Sequence, residues 1–460
     1  MSVFPAMALA ACCVAPLAAQ PPSMGRPATP DPVVVFTEHP RLFLRPQRLR
    51  LLQRERERQS PRWLRLEALV AGGTSLPEPG FALALYYKVS GDEAVGRRAV
   101  NWALGPAADL RQMALVFDWC QDILSEAQKH DLAARISEAM AALAPDQSVP
   151  AARSRALAAV ALYDDVPDAP PRELERIVRG WWEGRIAPAL KNGGSVIARD
   201  DAYALFELLH GIRDNVNLDL RGACLQFFAG LPESRLMSYY PAAYPAPENE
   251  FRIGAGHIQG EPNLRLAALS RAADLAMVDY DTNAPDSQWL QGWLMHDNFT
   301  MQGAFGAPYE FLWANPYQPG LSFYHLPLAY HDALQGDLFL RSSWDDSAAW
   351  FGYFDGVAQR FENGRLTAVD PGASPPVRMD PAVVYMGPSA HKFRTAVTEG
   401  QKVFLIGLEP RRSFQVEIDD EEMYEAVTDP GGILELDLPH NGEVGVRIRW
   451  VGQALPPANR

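Results

Sequence analysis

The sequence predicts an α+β protein in which a body of antiparallel helix hairpins precedes an antiparallel β-sandwich. In the first part apolar residues recur every three or four positions, as at 132–143, which is the spacing of an amphipathic helix. After Gly336 they alternate with a period of two, as in Lys402–Leu408 and Ile433–Leu438, which indicates strands. The chain therefore has two unlike halves, and the seam between them favours a binding site.

With 460 residues, the chain is longer than one hydrophobic core usually covers. We predict a helical domain at 38–331 and a β-sandwich domain at 332–460. The net charge of −14 argues against nucleic acid or an anionic membrane as partner, because clustered Lys and Arg bind such surfaces. The dense basic run at 45–58 alternates with leucines and glutamates, so we interpret it as the solvated face of a helix.

The first residues have the character of an export signal. An Ala-rich apolar stretch ends in small residues before Gln20, so 1–19 is predicted to be a signal peptide and 20–37 a Pro-rich leader. A lipoprotein cleavage box ending at Cys12 is the alternative. No later stretch has the length and apolarity of a membrane span. We therefore predict export, to the periplasm or the extracellular medium.

Helical periodicity extends over most of the first 300 residues. The predicted helices are Pro46–Gln59, Arg62–Val70, Gly80–Val89, Asp92–Leu104, Asp109–Leu124, Glu126–Leu143, Ala152–Tyr163, Arg172–Leu190, Asp201–Val216, Leu220–Phe228, Asn263–Val278 and Asp286–Met295. Ser125 and Gln128 form a capping box that starts one of them. The short breaks imply antiparallel hairpins, which in series close into a bundle, a solenoid or a toroid.

Two segments, Ser234–Arg252 and Phe299–His331, lose the helical period and are predicted to be long loops. They are rich in proline and in aromatic residues that suit stacking on sugar faces or a small core of the loop itself. The aromatic residues are Tyr239, Tyr240, Tyr244, Tyr309, Trp313, Tyr317, Phe323 and Tyr324. Long ordered loops in a compact domain are more often functional than idle.

In the second half, strand-like runs indicate one meander before residue 370 and four more strands within Val403–Trp450. The dipeptide Asn441-Gly442 between two alternating runs predicts a hairpin. Cys120 and Cys224 lie in apolar helical contexts and are expected to be free and buried. The sequence has no metal-ligand spacing, so we expect neither a metal nor a cofactor.

Three motifs together resemble heparinase II/III-like proteins over about 38–372. They are Glu38-His39-Pro40-Arg41-Leu42-Phe43-Leu44, the run Met113–Cys120 with Leu124–Gln128, and Phe339–Trp344 with Asp370-Pro371-Gly372. The resemblance implies an (α/α) toroid followed by a β-sandwich. It also implies a lyase of acidic polysaccharides, which removes a proton beside a uronate carboxyl and expels the glycosidic oxygen.

The resemblance also implies site residues, and the chain departs from several of them. Where the family has an Asn-His pair, this sequence has Ala152-Arg153-Ser154-Arg155. The sandwich histidine is missing from the run between Tyr353 and Asp370. Tyr203 matches the family's tyrosine, and Arg153 or Arg155 is then expected to neutralise the substrate carboxylate.

The helix around Tyr203 carries further candidates. Tyr203, Glu207, His210 and Asp214 form a polar stripe opposite a leucine stripe. The stripe predicts either the lining of a sugar cleft, with Tyr203 and His210 flanking the ligand, or an ordinary solvated face.

Other candidates lie in the loops. Glu248 and Glu250 are expected to act as an acid and base pair or to form a solvated acidic turn, and His257 is a candidate base or a surface residue. His325 and His331 are candidates for the interface between the two halves. Tyr239, Tyr240, Tyr309, Trp313 and Tyr317 are candidates for sugar contacts, with Glu248.

Three functions stay open at this point, all with a polysaccharide or oligosaccharide as partner. The first is elimination, with Tyr203 as acid or base and Arg153 or Arg155 on the carboxylate. The second is hydrolysis by a carboxylate pair drawn from Asp200, Asp201, Glu248, Glu250 and Glu310. The third is a non-catalytic binding or envelope protein, which the two missing histidine motifs favour.

Overall fold

The structure, a computed structural model, describes residues 32–246, 250–256, 261–296, 300–372, 374–420, 422–438 and 442–451. Its order of elements confirms the predicted fold class, with helices first and sheets after them. The helices are α1 (Pro46–Glu57), α2 (Pro61–Ala71), α3 (Pro79–Ser90), α4 (Glu93–Ala103), α5 (Leu110–Trp119), α6 (Glu126–Ala142), α7 (Val149–Ala161), α8 (Ala169–Glu175), α9 (Ala187–Lys191), α10 (Ala202–Val216), α11 (Leu225–Ala229), α12 (Leu231–Ser238), α13 (Leu264–Tyr280), α14 (Pro285–His296) and α15 (Ala307–Trp313).

Side-chain caps explain many of the helix starts. Ser60, Asp92, Asp109, Ser148 and Asn263 each accept a hydrogen bond from a backbone N–H of the first turn. The predicted capping box of Ser125 and Gln128 is confirmed at the start of α6. Among the described residues, no helix is long and apolar enough to cross a membrane.

Six of the helices form a closed ring. In chain order α3, α5, α7, α10, α13 and α15 each contact the next, and α15 contacts α3. The ring helices are parallel to one another, because residues at the N-terminal ends of neighbouring helices meet, as in the pair of Glu78 with Arg111. Helix α15 lies in a segment that was predicted to be a loop, and so does most of α12. That prediction was wrong because every residue of α15 is buried, which leaves no periodicity to detect.

The C-terminal ends of the ring helices are closed by a plug segment, Val33–Arg45. Asp118 in the last turn of α5 is fully buried and accepts from the backbone N–H groups of Arg41 and Leu42 at 2.8–2.9 Å. Trp119 Nε1 donates to the Leu42 carbonyl at 2.8 Å, and Arg41 Nη1 donates to the Val160 carbonyl at the end of α7. The motif Glu38–Leu44 and the run Met113–Cys120, which both carry the family resemblance, thus pack together as one structural unit.

Replacing Asp118 with alanine should lower the free energy of unfolding by about 3–5 kcal/mol, since each buried N–H left without a partner costs about 1–3 kcal/mol. Denaturant unfolding measures this. The matched control is Asp131→Ala, which removes an exposed pair with Arg135 and should cost about 0.5 kcal/mol or less. Equal losses in the two variants would contradict the role of Asp118.

The strands form a small ribbon and three larger sheets. The ribbon is β1 (Tyr244–Pro245) with β2 (Glu250–Phe251). Sheet I is the antiparallel meander β3 (Ala329–Asp332), β4 (Asp337–Arg341), β5 (Trp350–Phe354), β6 (Val357–Glu362) and β7 (Arg365–Val369). Sheet II has the order β14 (Leu434–Leu436), β11 (Lys402–Ile406), β9 (Ala382–Met386) and β8 (Val377–Met379), with β9 and β11 parallel. Sheet III is β10 (Lys392–Val397), β15 (Gly442–Trp450), β12 (Ser413–Ile418) and β13 (Glu422–Val427).

The three sheets stack as layers on the helical body. Phe339 and Trp350 of sheet I pack into the helical core, while Leu338 and Leu340, one position away, pack against sheet II. Sheet II is buried on both faces, which explains the continuous apolar run at 403–406. The predicted hairpin at Asn441-Gly442 is wrong, because β14 and β15 belong to different sheets. Asn441 itself lies outside the described residues.

Gly336, where the hydrophobic period changes, sits in the turn between β3 and β4 with φ +79°. A Cβ there would lie 2.1 Å from the backbone nitrogen of Gly431, in the loop before β14. Both the left-handed φ and this close approach require glycine. The predicted domain boundary at 331–332 falls inside β3.

His331 in β3 joins sheet I to sheet II. Its Nε2 lies 2.9 Å from Asp429 and its Nδ1 lies 3.1 Å from Glu435 of β14, which also pairs with Lys402 at 2.6 Å. Burial opposes protonation of the ring, but hydrogen bonds to the two carboxylates outweigh it and raise the pKa of His331 to about 9. The imidazolium therefore holds the two sheets together.

This pKa predicts a pH-dependent stability. Because the folded-state pKa is above the unfolded value of about 6.5, the contribution is complete below about pH 6.5 and disappears as the pH rises through about 9. The free energy of unfolding of the native protein should exceed that of a His331→Gln variant by up to about 3 kcal/mol near pH 6 and by much less near pH 10. Urea unfolding across this range tests it, and a constant difference would contradict it.

Candidate functional site

A group of charged and aromatic side chains, the lumen network, fills the centre of the helix ring. Glu207 of α10 is fully buried and accepts from Arg111 of α5 through Nε at 2.8 Å and Nη2 at 2.6 Å. Arg153 of α7 pairs with the same carboxylate, and the Tyr203 hydroxyl donates to it at 2.6 Å. The other members of the network are Glu78, Tyr309 and Trp313.

These other members connect the network to α3 and α15. Arg111 Nη1 lies 3.1 Å from Glu78, and the Tyr309 hydroxyl donates to the same carboxylate. Trp313 Nε1 donates to the Tyr203 hydroxyl at 2.9 Å. Tyr203, Tyr309 and Trp313 are each 3% exposed or less. The middle of the ring is therefore packed with side chains that bond one another.

The charges in the network are mutually compensated. Burial disfavours the ionised form of Glu207, but Arg111 and then Arg153 outweigh this and hold the pKa of Glu207 below its usual value. Burial, reinforced by the Glu207 carboxylate, raises the pKa of Tyr203 well above its usual range. Tyr203 is thus held as a neutral donor to Glu207.

The polar stripe of α10 differs from both of its predicted environments, the sugar cleft and the solvated face. All four of its residues are buried, because neighbouring helices supply partners. His210 bonds the Ala276 carbonyl at 2.9 Å and packs between Tyr280 and Trp313, with ring centroids at 4.9 and 4.7 Å. Arg155, 1% exposed, is paired with Glu173 at 2.9 Å.

A Tyr203→Phe substitution should reduce stability without changing ligand binding. It removes a donor to the Glu207 carboxylate and an acceptor of the Trp313 N–H, at a cost of about 1–3 kcal/mol. Glu207→Gln should cost more, about 3–5 kcal/mol, because Arg153 loses its counter-charge and Arg111 keeps only Glu78. Thermal unfolding and ligand titration of both variants test this. A folded Tyr203→Phe protein with no affinity for ligand would instead place Tyr203 in the binding site.

A second polar region lies where the helical body meets sheet I. A cavity of about 250 Å³, here called the junction cavity, opens between the end of α14, residues 240–241 and 252, residues 323–324, and the turn from β4 to β5. Its lining residues are Tyr240, Pro241, Arg252, Trp293, His296, Phe323, Tyr324, Arg341, Trp344, Asp345 and Asp346. Convergent polar and aromatic groups in a concave site are typical of ligand binding.

Arg341, the last residue of β4, is the unusual charge in this cavity. It is 3% exposed and has no carboxylate within ion-pair distance among the described residues. Its Nη1 donates to the Tyr239 carbonyl at 3.1 Å and its guanidinium lies 4.6 Å from the Trp344 ring centroid. Burial, and then the nearby Arg252, lower the pKa of Arg341 to about 9. An anion in the cavity would compensate this charge.

Other groups around the cavity also suit a polar ligand. The Trp344 indole N–H is buried and lacks an acceptor within the part of the chain that the structure describes. The Tyr324 hydroxyl lies 2.9 Å from His296 Nε2, and both side chains are exposed. Arg252 donates to the Pro241 carbonyl at 2.7 Å and pairs with Asp346 at 3.1 Å. The cavity therefore presents an arginine pair, a histidine–tyrosine pair and aromatic rings.

Of the residues predicted for the site, the structure brings Tyr240 to this cavity. Its ring lines the wall, and its hydroxyl donates to Gln359 at 2.7 Å. Tyr239 contributes its backbone carbonyl to Arg341, whereas its buried hydroxyl donates to Asp274. Tyr309 and Trp313 belong to the lumen network. Tyr317 is 56% exposed beside Arg58 and does not line the cavity.

The structure describes some of the acidic candidates. Glu310 is paired with Arg271 at 2.9 Å and buried. The backbone of Glu250 lies in β2 opposite Pro245. Glu248 and His257 lie outside the described residues. Burial, and then the neighbouring Asp200, raise the pKa of Asp201. The described residues contain no group of three His, Cys, Asp or Glu that could bind a metal ion.

The sequence interpretation missed Arg341, His296, Trp293 and Trp344 as site residues. One signal pointed toward Arg341 and Trp344: the polar and aromatic run Arg341–Asp346 shortly after the change of period. The free, buried state of Cys120 and Cys224 is confirmed. The described residues thus hold the candidate site at the predicted seam, with different side chains.

No family model matches this chain, and no curated protein matches it. One solved structure to which the chain is similar is named "Glycoside hydrolase". The alignment covers 81% of this chain and 71% of that one, with 11% identity and a TM-score of 0.29. A similarity of this size establishes neither a shared fold nor a shared activity.

Proposed function

We propose that this protein binds an acidic glycan in the junction cavity and cleaves it by β-elimination at a uronate residue. The observation that carries the proposal is Arg341, a buried cation on the wall of an aromatic cavity that has no carboxylate partner among the described residues. A guanidinium binds a carboxylate through two parallel hydrogen bonds. Trp293, Trp344 and Tyr324 offer ring faces on which a pyranose can stack.

Elimination also needs a base and an acid, and His296 with Tyr324 supplies both. With the carboxylate neutralised by Arg341, the imidazole takes the proton from the carbon beside the carboxyl. The electron pair forms a carbon–carbon double bond, the glycosidic carbon–oxygen bond breaks, and the leaving oxygen receives the phenolic proton of Tyr324. Transfer of the imidazolium proton to the phenolate across their hydrogen bond restores both groups.

The assay is the incubation of the purified protein with a panel of uronate polysaccharides and oligosaccharides. Elimination gives an unsaturated uronate that absorbs in the ultraviolet, whereas hydrolysis releases reducing ends without that absorbance. Binding without either product would support a non-catalytic carbohydrate-binding protein. Absence of elimination on every uronate substrate would overturn the proposed reaction.

Substitutions then test the assigned roles. His296→Ala and Tyr324→Phe should each lower kcat by about 10²–10⁴-fold, the usual contribution of a general acid or base. Arg341→Met keeps an unbranched, flexible side chain and removes the charge, so it should lower kcat/KM and weaken binding. Steady-state kinetics on the substrate found in the panel measure these effects.

Matched controls are available outside the cavity. His130 is an exposed histidine on α6, and Tyr163 is a half-buried tyrosine after α7. His130→Asn and Tyr163→Phe should leave kcat and KM unchanged. If His296→Ala and Tyr324→Phe behaved like these controls while elimination continued, the acid and base would have to be sought elsewhere.

A further inference from the structure

The hairpin of β6 and β7 ends in a second concave surface, at the edge of sheet I. This open groove, here called the hairpin groove, has a volume of about 450 Å³. Its lining residues are Arg360, Glu362, Asn363, Arg365 and Thr367. All five side chains are polar or charged, and the proposed reaction uses none of them. The groove is therefore a candidate site of its own.

Sheet II leaves this corner of sheet I uncovered. On the face toward sheet II, Phe351 of β5 and Ala358 of β6 pack into the apolar cluster between the two sheets. Arg360 and Glu362 follow on the same face of β6, because side chains two positions apart point the same way. Their side chains are 44% and 47% exposed. The groove is thus the part of this face that extends beyond the packed layer.

A tight turn fixes the geometry of the groove. Asn363 and the glycine after it have φ of +52° and +72°, which is the pattern of a two-residue type I′ hairpin turn. The register places Glu362 opposite Arg365 and Arg360 opposite Thr367. The two arginines are therefore diagonal neighbours, about 7–8 Å apart at the backbone. Both guanidinium groups can reach one ligand.

The hairpin groove is positively charged in an acidic protein, whose net charge is −14. Glu362 pairs with Arg360 at 3.0 Å, whereas Arg365 forms no ion pair among the described residues. A guanidinium binds a carboxylate through two parallel hydrogen bonds. Arg365 is thus available to a ligand with one negative charge, while the nearby Glu362 repels a ligand with two.

The other groups in the groove suit hydroxyl groups. The Thr367 hydroxyl donates to the Arg360 carbonyl at 3.2 Å, so its lone pairs stay available as acceptors. The Glu362 carboxylate and the Asn363 amide add further acceptors and donors. Among the described residues, no apolar side chain lines the groove. A ligand with several hydroxyl groups and one carboxylate matches this set.

The groove is separate from the junction cavity. Arg341 of β4 is in register with Trp350, Phe361 and Leu366 across the four strands β4 to β7. At a spacing of about 4.8 Å between strands, β4 and β7 are about 15 Å apart in this row. Arg341 points to the helical body, whereas the groove lies on the face toward sheet II. One small ligand cannot occupy both sites.

We propose that the hairpin groove is a second saccharide site, which binds one uronic acid residue. Arg365 holds the carboxylate, and the ring hydroxyls bond to Glu362, Asn363 and Thr367. The inference goes beyond the proposed function, because this site takes no part in bond cleavage and binds its ligand whether or not cleavage occurs elsewhere.

Ligand-observed NMR titration of the full chain tests the ligand class, with glucuronate, galacturonate, glucose and acetate as probes. We expect one or both uronates to bind at two sites in the native protein. Glucose lacks the carboxylate and acetate lacks the hydroxyl groups, so each should bind the groove at least about tenfold more weakly. Acetate that binds there as tightly as the uronates would overturn the saccharide assignment.

Substitutions assign the binding to the groove. Arg365→Met changes an exposed side chain, so the chain should stay folded while uronate affinity at this site falls at least about tenfold. The matched control is Arg394→Met, at an exposed pair with Glu443, which should bind as the native protein does. Equal binding by the two variants would overturn the inference.

Glu362→Gln tests the charge selectivity. It keeps the shape of the side chain and removes the carboxylate that repels a dianion, so it should raise the affinity for glucose 6-phosphate by at least about threefold relative to glucuronate. An unchanged ratio of the two affinities would contradict the assigned role of Glu362.

Failure of this inference and failure of the proposed function are distinguishable. In an Arg341→Met background the remaining uronate binding should disappear with Arg365→Met. Binding that disappears with Arg341→Met alone would keep the junction cavity and overturn the groove. Binding that disappears with Arg365→Met alone would keep the groove and count against the proposed function. The comparison of two sites in the native protein with one in Arg365→Met does not depend on the folding of Arg341→Met.

Discussion

The ion pairs of Glu207 are the constraint on which the helical body depends. This buried carboxylate is bonded by Arg111 of α5, Arg153 of α7 and Tyr203 of its own helix, and Tyr203 accepts from Trp313 of α15. Glu207 therefore joins three of the six ring helices directly, and Tyr203 adds α15 as a fourth. Taking a carboxylate out of water is costly unless its lone pairs are satisfied, so the buried Glu207 depends on all three of its partners.

The lumen network also affects where a ligand can bind. Among the described residues at the centre of the ring, the carboxylates of Glu78 and Glu207 are paired with Arg111 and Arg153, so these charges neutralise one another. The junction cavity has the opposite character, because within the described residues its buried Arg341 guanidinium has no carboxylate partner and its buried Trp344 indole N–H has no acceptor. A buried polar group without a partner lowers the stability of the folded protein. Such a group is explained when a bound ligand supplies the missing partner. The cost is kept low by the Tyr239 carbonyl and the Trp344 ring beside Arg341.

The sequence predicted most of the fold because periodicity and caps are local signals. The starts of α2, α4, α5, α6, α7 and α13 follow from a side-chain cap such as Ser125. The predictions that failed concern contacts between residues that are far apart in the sequence. Helix α15 is buried on all sides, so its sequence has no periodic pattern. Strands β14 and β15 pair with strands that are not their neighbours in the sequence, and no local signal indicates such partners. For the site, the position at the seam was predictable, but Arg341 and His296 are far apart in sequence and no spacing connects them.

The departures from the heparinase II/III-like pattern fit this arrangement. Arg153 stands where the resemblance places an Asn-His pair, and it is used to neutralise Glu207. A neutral pair at that position would leave the Glu207 carboxylate with one arginine fewer and would open space at the mouth of the ring. In the proposed elimination, the acid and base come from the edge of the helical body, where His296 and Tyr324 line the same cavity as Arg341.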